Sequence, residues 1–160
     1  GSILLTGYGE TSDAHHMSAP HPEGAGAQAA MQAALQMAGL QPQDIGYINL
    51  HGTATPSNDL AEGKAVRAVF GAETPCSSTK GFTGHTLGAA GGVEAVVCAL
   101  ALTHGLGPGS AGTQALDSAI APLNYLLQPR TLPLQHALSN SFGFGGSNCS
   151  LVFSRVGGSA

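Results

Sequence analysis

Apolar residues in this chain arrive in short bursts separated by glycine- and proline-rich stretches, and each burst has its own period. ILLTGYG (3–9) is a brief apolar run ending in glycines, the pattern of a strand. AQAAMQAALQMAGL (27–40) repeats small and apolar residues and carries Gly39 near its end, so a helix is expected there. IGYINL (45–50) reads as a buried strand, SNDLAEGKAVRAVFG (57–71) as an amphipathic helix opened by capping residues, and PCSST (75–79) as a very short strand. LGAAGGVEAVVCALALTHG (87–105) predicts a long buried helix, with small residues early, where another backbone could approach closely. A Gly/Pro/Ser-rich connection covers 106–122. LNYLLQP (123–129) and QHALSNSFGF (135–144) follow as strand candidates, and SNCSLVFSRV (147–156) is the clearest strand. The predicted order, β-α-β-α-β-α-β-β, is an α/β layered domain: a mixed five-stranded sheet covered by helices.

Composition sharpens this picture. Of the 160 residues only 9% are charged, while 42% are hydrophobic and 24 are glycine. Globular domains ordinarily carry roughly 25% charge, so part of this surface is expected to lie against another domain or subunit. A net charge of −4 offers no basic footprint and argues against a nucleic-acid partner. The longest bland run, Gly88 to Leu102, is broken by Glu94 and is short of a membrane span, and no basic-then-apolar leader is seen. Cys76, Cys98 and Cys149 are odd in number and lack CxxC spacing, which suits free thiols in a reducing cytoplasm. Gly1-Ser2 reads as a cloning remnant, and residues 157–160 as a flexible tail.

Three segments combine reactive side chains with glycine-rich backbone, each where a predicted strand ends. NLHGTATPSND (49–59) holds His51, Thr53 and Thr55; SSTKGFTGHTLGAAGGVE (77–94) holds Lys80 and His85; SNSFGFGGSN (139–148) is a Gly/Phe turn. Ligands of α/β sheets bind outside the carboxyl ends of strands, so such loops would converge. Two imidazoles and a lysine in a charge-poor pocket suit the stabilisation of an enolate or oxyanion, with bare backbone N–H groups from the glycines assisting. Singly, each segment has a plainer meaning: a structural histidine, a turn, a solvated lysine. His15, His16 and His21 have no closed ligand set, and no metal site is expected there.

HGTATPSND, STKGFTGHTLGAAGGVEA and SNSFGFGGSN together resemble the three signature segments in the C-terminal half of β-ketoacyl-[acyl carrier protein] synthases, and GYGETSDAHHMSAPHPEGAG resembles the segment before that half's first helix. The resemblance implies a thiolase-like half-fold over 3–156, and decarboxylative Claisen condensation of an acyl thioester with malonyl-[acyl carrier protein] in fatty acid or polyketide synthesis. It implies that His51 and His85 bind the extender thioester carbonyl, that Lys80 orients and electrostatically tunes His85, and that Glu94 partners Lys80. Phe144 then supplies an oxyanion-hole N–H and a gating ring, Thr53, Thr55 and Ser18 hold the phosphopantetheine arm, and Phe142 belongs to the core. Asn49, Glu94, Ser139 and Asn140 match positions that form a structural cation site in some relatives. No cofactor is implied beyond the phosphopantetheine that arrives on the carrier protein. The implied partners are acyl carrier protein, the N-terminal half of the same synthase and a second copy in a homodimer. That N-terminal half carries the family's nucleophilic cysteine, which nothing here matches, so the chain alone is expected to be inactive. The alternative is a non-catalytic partner subunit of the chain-length-factor type.

Overall fold

The computed structural model describes residues 1–120 and 122–157. Strand β1 (Ser2–Ser12) leads to helix α1 (Ala25–Ala38), then β2 (Tyr47–Asn49), α2 (Pro56–Phe70), β3 (Pro75–Ser77), the one-turn α3 (Lys80–Thr83) and α4 (Ala90–His104). Two-residue strands β4 (Leu106–Gly107), β5 (Asn124–Tyr125) and β6 (Arg130–Thr131) precede β7 (His136–Gly143) and β8 (Ser147–Val156). The main sheet has the order β1-β8-β7-β2-β3-β5, six strands against the expected five-stranded sheet, the edge strand β5 falling within the strand candidate at 123–129. β8 runs antiparallel to both β1 and β7, whereas β7, β2, β3 and β5 are mutually parallel. The carboxyl ends of β1, β7, β2 and β3 therefore open on one edge of the sheet. The tail expected at 157–160 falls, beyond Gly157, outside the described residues.

Helices α1 and α2 cover one face through Met31, Leu35, Ala65 and Val66, packed on Ile48, Leu138 and Val152. On the other face Cys98, Ala101 and Leu102 of α4 pack on Tyr47 and Ala137. Gly39 ends α1 in the left-handed region (φ 68°), with its N–H and that of Leu40 returned to Gln36 and Leu35, a Schellman-type stop that glycine permits without strain. β1 lies so close beneath α1 that a methyl on Gly9 would overlap the Ala30 carbonyl oxygen. Gly9→Ala should therefore destabilise the domain by about 1–3 kcal/mol, the usual cost of overpacking. An unchanged urea midpoint would refute that contact.

Two elements leave apolar side chains only partly covered, and for α4 this corrects the expected long buried helix. In β8 the serine-bearing side is the buried one: Ser150, Val152 and Ser154 are buried, and Cys149, Leu151 and Phe153 only partly so. Hydrogen bonds make this tolerable, Ser150 donating to Asn140 Oδ1 (2.8 Å) and Ser154 meeting Thr6 Oγ1 (2.7 Å). Second, α4 is buried along one face only. Ala90, Glu94, Cys98, Ala101 and Leu102 turn inward, while Val96 is 59% and Leu100 52% exposed. Contrary to the sequence reading, the stretch Leu87–His104 is long and apolar enough by composition to cross a membrane. Here it breaks into a 3-10 turn and α4, lies across β7 and β8, and carries an ion-paired glutamate, which makes it a layer helix of the fold.

Candidate active site

β2 ends at Asn49 and delivers His51; β3 ends at Ser77 and delivers Lys80; β7 turns at Gly143 into Phe144. The chain after β1 brings Ser18 to the same edge. His51, His85, Thr53, Thr55, Ser18 and Phe144 all line one cavity of about 970 Å³. Lys80 stands behind His51, outside that cavity.

His51 is buried, and His85 meets it edge-on with ring centroids 5.5 Å apart. Burial first, then the Lys80 charge and His85, lower the His51 imidazolium from 6.5 to about 3, so the ring is neutral at physiological pH. Lys80, expected to orient His85, instead engages His51, its Nζ approaching His51 Nδ1 at 3.3 Å. An ammonium can only donate, so Nδ1 accepts and the ring's proton sits on Nε2. His85 reaches the same state differently: the Leu87 backbone N–H donates to its Nδ1 at 3.2 Å. Leu87 has φ 52°, a conformation that a branched side chain adopts only at a cost, and it aims that N–H. Both imidazoles thus carry their N–H on Nε2.

Lys80 also forms an ion pair with Glu94 Oε1 and donates to the His51 carbonyl. The two side chains are 7% and 2% exposed, so this is a buried pair. Burial pushes the Glu94 carboxyl above its ordinary range against the pull of Lys80, and Ser141 Oγ donates to its second oxygen at 3.4 Å.

Sequence reasoning missed Glu62. It is buried in α2 and accepts the backbone N–H groups of both His51 and Gly52 at 2.9 Å, with Asn140 Nδ2 at 3.2 Å. The available signal was a carboxylate on the helix face shared with Ala65 and Val66. Burial, partly offset by those N–H donors, raises its carboxyl from 4.5 to about 7. Between these values the folded chain holds a proton that the unfolded chain has released. This group's stabilising contribution is present at lower pH and is lost as pH rises from about 4.5 through about 7. Glu62→Gln should abolish that slope and cost about 1–3 kcal/mol by leaving one N–H unpaired. Urea titrations across this range would show it, and a variant retaining the wild-type slope would exclude the assignment.

Thr55 begins α2 without using its hydroxyl as a cap; Thr53 and Thr55 Oγ1 instead pair at 2.8 Å at the cavity wall. The helix starts at Pro56, a residue suited to the first helical position because it has no N–H to satisfy, so the expected capping residues 57–59 lie inside its first turn. Ser18 bonds His16 Nδ1 through its N–H (3.2 Å) and Oγ (3.3 Å). Phe144 is 86% exposed on a turn where Gly145 (φ 83°) and Gly146 (φ 77°) allow the chain to reverse. Phe142 packs against the core and also sets its ring edge to His51, centroids 5.7 Å apart.

The four cation positions do not form one set. Asn49 and Ser139 are neighbours across β2 and β7, and Asn49 Oδ1 and Ser139 Oγ are buried without a hydrogen-bond partner. These oxygens fit a hard cation. Asn140 departs from the expectation, because alternation along β7 turns it to the opposite face, onto Glu62 and Ser150. Glu94 is engaged by Lys80 and Ser141. Among the described residues no group of three His, Cys, Asp or Glu side chains could hold a metal ion.

Residues 3–114 match the family model described as beta-ketoacyl synthase, C-terminal domain. The chain belongs to the β-ketoacyl synthase family. This synthase domain is 43% identical over 165 residues to 3-oxoacyl-[acyl-carrier-protein] synthase 2 of Staphylococcus aureus, covering 93% of the chain and 38% of that protein. It superposes on a ketosynthase of Xenorhabdus doucetiae solved in complex with its chain length factor, with TM-score 0.93 and 51% identity over 98% of this chain and 40% of that one. A type II polyketide ketosynthase solved with its acyl-carrier protein matches with TM-score 0.91 and 29% identity, over 97% of this chain and 39% of that one. The synthase domain thus spans about two fifths of the length of these relatives.

Proposed function

We propose that this chain is the C-terminal part of a condensing enzyme that joins an acyl group to the enolate of a malonyl thioester carried on acyl carrier protein. The observation that carries the reading is the shared protonation of His51 and His85: each accepts at Nδ1 and so donates from Nε2, and both line the same cavity. A thioester carbonyl oxygen between two such donors gains most from them when it becomes an enolate oxygen. The malonyl carboxylate leaves as CO₂, its bonding electrons pass to the α-carbon, and the charge rests on that oxygen. The α-carbon then attacks an acyl thioester carbonyl, the Phe144 N–H stabilises the resulting oxyanion, and a thiolate departs. Thr53, Thr55 and Ser18 line the wall along which the phosphopantetheine arm would lie.

The acyl-bearing thiolate comes from outside this chain. Burial pushes the thiols of Cys76 and Cys98 up to about 12, and burial and Glu10 raise that of Cys149, so none of the three is a ready nucleophile. A preceding half with its own cysteine supplies it in this reading, packed on the exposed face of α4, and the complete synthase is a dimer. The non-catalytic partner-subunit reading is weaker, because His51, Lys80 and His85 are present and mutually engaged.

The test is made on the protein in its full native length, with malonyl carrier protein and an acylated starter. CO₂ release together with a 3-oxoacyl product is expected, and this chain alone should yield no 3-oxoacyl product. A full-length protein that yields neither CO₂ nor product would return the assignment to the partner-subunit reading.

A further inference from the structure

The loop after α4 leaves a contact that the proposed chemistry does not use. Tyr47, on β2, is completely buried, yet its hydroxyl is paired at 2.7 Å with Ser77 Oγ on β3. Ser77 Oγ lies 2.6 Å from the Pro108 carbonyl, which has no proton to give. Ser77 must therefore donate there and accept from Tyr47. Tyr47, having given its proton to Ser77, accepts from Asn49 Nδ2 at 3.0 Å. The same amide group reaches Thr79 Oγ1 at 3.3 Å. Every direction in this chain is thus fixed: Asn49 donates to Tyr47, Tyr47 to Ser77, and Ser77 to Pro108.

Thr79 is where the chain acts. It is the residue before Lys80 and the N-cap of α3, a helix of only four residues, too short to hold its own geometry. Its backbone (φ −97°, ψ 0°) lies in the sparsely allowed bridge region, which persists only where the surroundings impose it. The loop holds the neighbouring residue as well, since Ser110 Oγ accepts the Ser78 N–H at 3.2 Å. Lys80 in turn must aim one ammonium at Glu94, the His51 carbonyl and His51 Nδ1 together.

We propose that Tyr47 and Ser77 are positioning residues for the condensation, forming a one-way hydroxyl relay by which the Pro108–Ser110 loop pins the Lys80 turn. This rests on the function proposed above. Tyr47→Phe keeps the ring and removes one oxygen, so it breaks the relay while leaving the packing in place. In the full-length protein, Tyr47→Phe should lower kcat for malonyl decarboxylation about tenfold with KM for the malonyl thioester unchanged. Ser77→Ala should do the same, and the double variant should fall no further than either single one, because both cut one chain.

If wild type decarboxylates and Tyr47→Phe merely lowers the unfolding midpoint, with kcat per folded molecule unchanged, Tyr47 is structural and the inference is overturned. Multiplying losses in the double variant would overturn the relay equally. A wild type without decarboxylase activity would instead refute the proposed function. Ser77→Thr, which restores a hydroxyl, should recover most of the loss from Ser77→Ala, and its failure to do so would count against the relay.

Discussion

Replacing Lys80 with methionine should destabilise the domain by about 3–5 kcal/mol and slow malonyl decarboxylation by about two to three orders of magnitude. The stability loss follows from what remains behind. Glu94 is buried, and without the ammonium its carboxylate keeps Ser141 alone as a partner among the described residues. The catalytic loss has a separate origin, since Lys80 is the donor that fixes the proton of His51 on Nε2. The two effects separate in the double variant Lys80→Met/Glu94→Leu. Buried ion pairs can be replaced by apolar residues of similar volume at little cost, so this variant should regain most of the lost stability and none of the lost turnover. Denaturant titration and CO₂ release measured on the same samples decide it. Recovery of turnover in the double variant would reduce Lys80 to a stabilising role, and an unchanged midpoint in Lys80→Met would mean that the pair contributes nothing.

The parts of this site legible in the sequence were those fixed by local pattern. Strands ending in His51, in Lys80 and in the Phe144 turn could be read from apolar runs stopped by glycine, and parallel pairing then brings the loops to one edge. The Lys80–Glu94 pair came from the family resemblance, because a lone carboxylate in an apolar helix does not by itself name its cation. Glu62 was less visible. Its helix looks amphipathic with or without it, and only the tertiary approach of the His51 and Gly52 N–H groups gives its burial a purpose. Asn140 illustrates the opposite error. It adjoins Ser139 in sequence, but strand alternation places the two on opposite faces of the sheet, so resemblance of position did not carry function. The 106–122 stretch read as a mere connection because its contribution is made by the Pro108 carbonyl and the Ser110 hydroxyl, whose partners lie on β3. The half-bare α4 agrees with the scarcity of charge. A helix that shows Val96 and Leu100 to solvent in this chain is one that a further layer would cover.

Replacing His51 or His85 with alanine should lower kcat by about 10²–10³ and leave KM for the malonyl thioester nearly unchanged, because in the proposed reaction each imidazole donates chiefly to charge that develops in the transition state. The two positions differ in what surrounds the ring. His51 has its backbone clamped by Glu62, so alanine there keeps the loop in place while removing the Nε2 donor and the Nδ1 acceptor of Lys80. His85 lies on the exposed loop that ends in the strained Leu87. The protonation argument has its own readout. With its imidazolium lowered to about 3, His51 should show the neutral Nε2–H tautomer by ¹⁵N NMR throughout the range from pH 8 down to about 4. The ordinary value is 6.5, so between 6.5 and about 3 the unfolded chain takes up a proton that the folded one refuses, and this group's contribution to stability declines as pH falls through that window. An imidazolium signal for His51 at pH 6 would remove the neutral Nε2–H donor on which the proposed decarboxylation step rests. A neutral His51 with Nδ1 protonated would instead show that Lys80 does not set the tautomer.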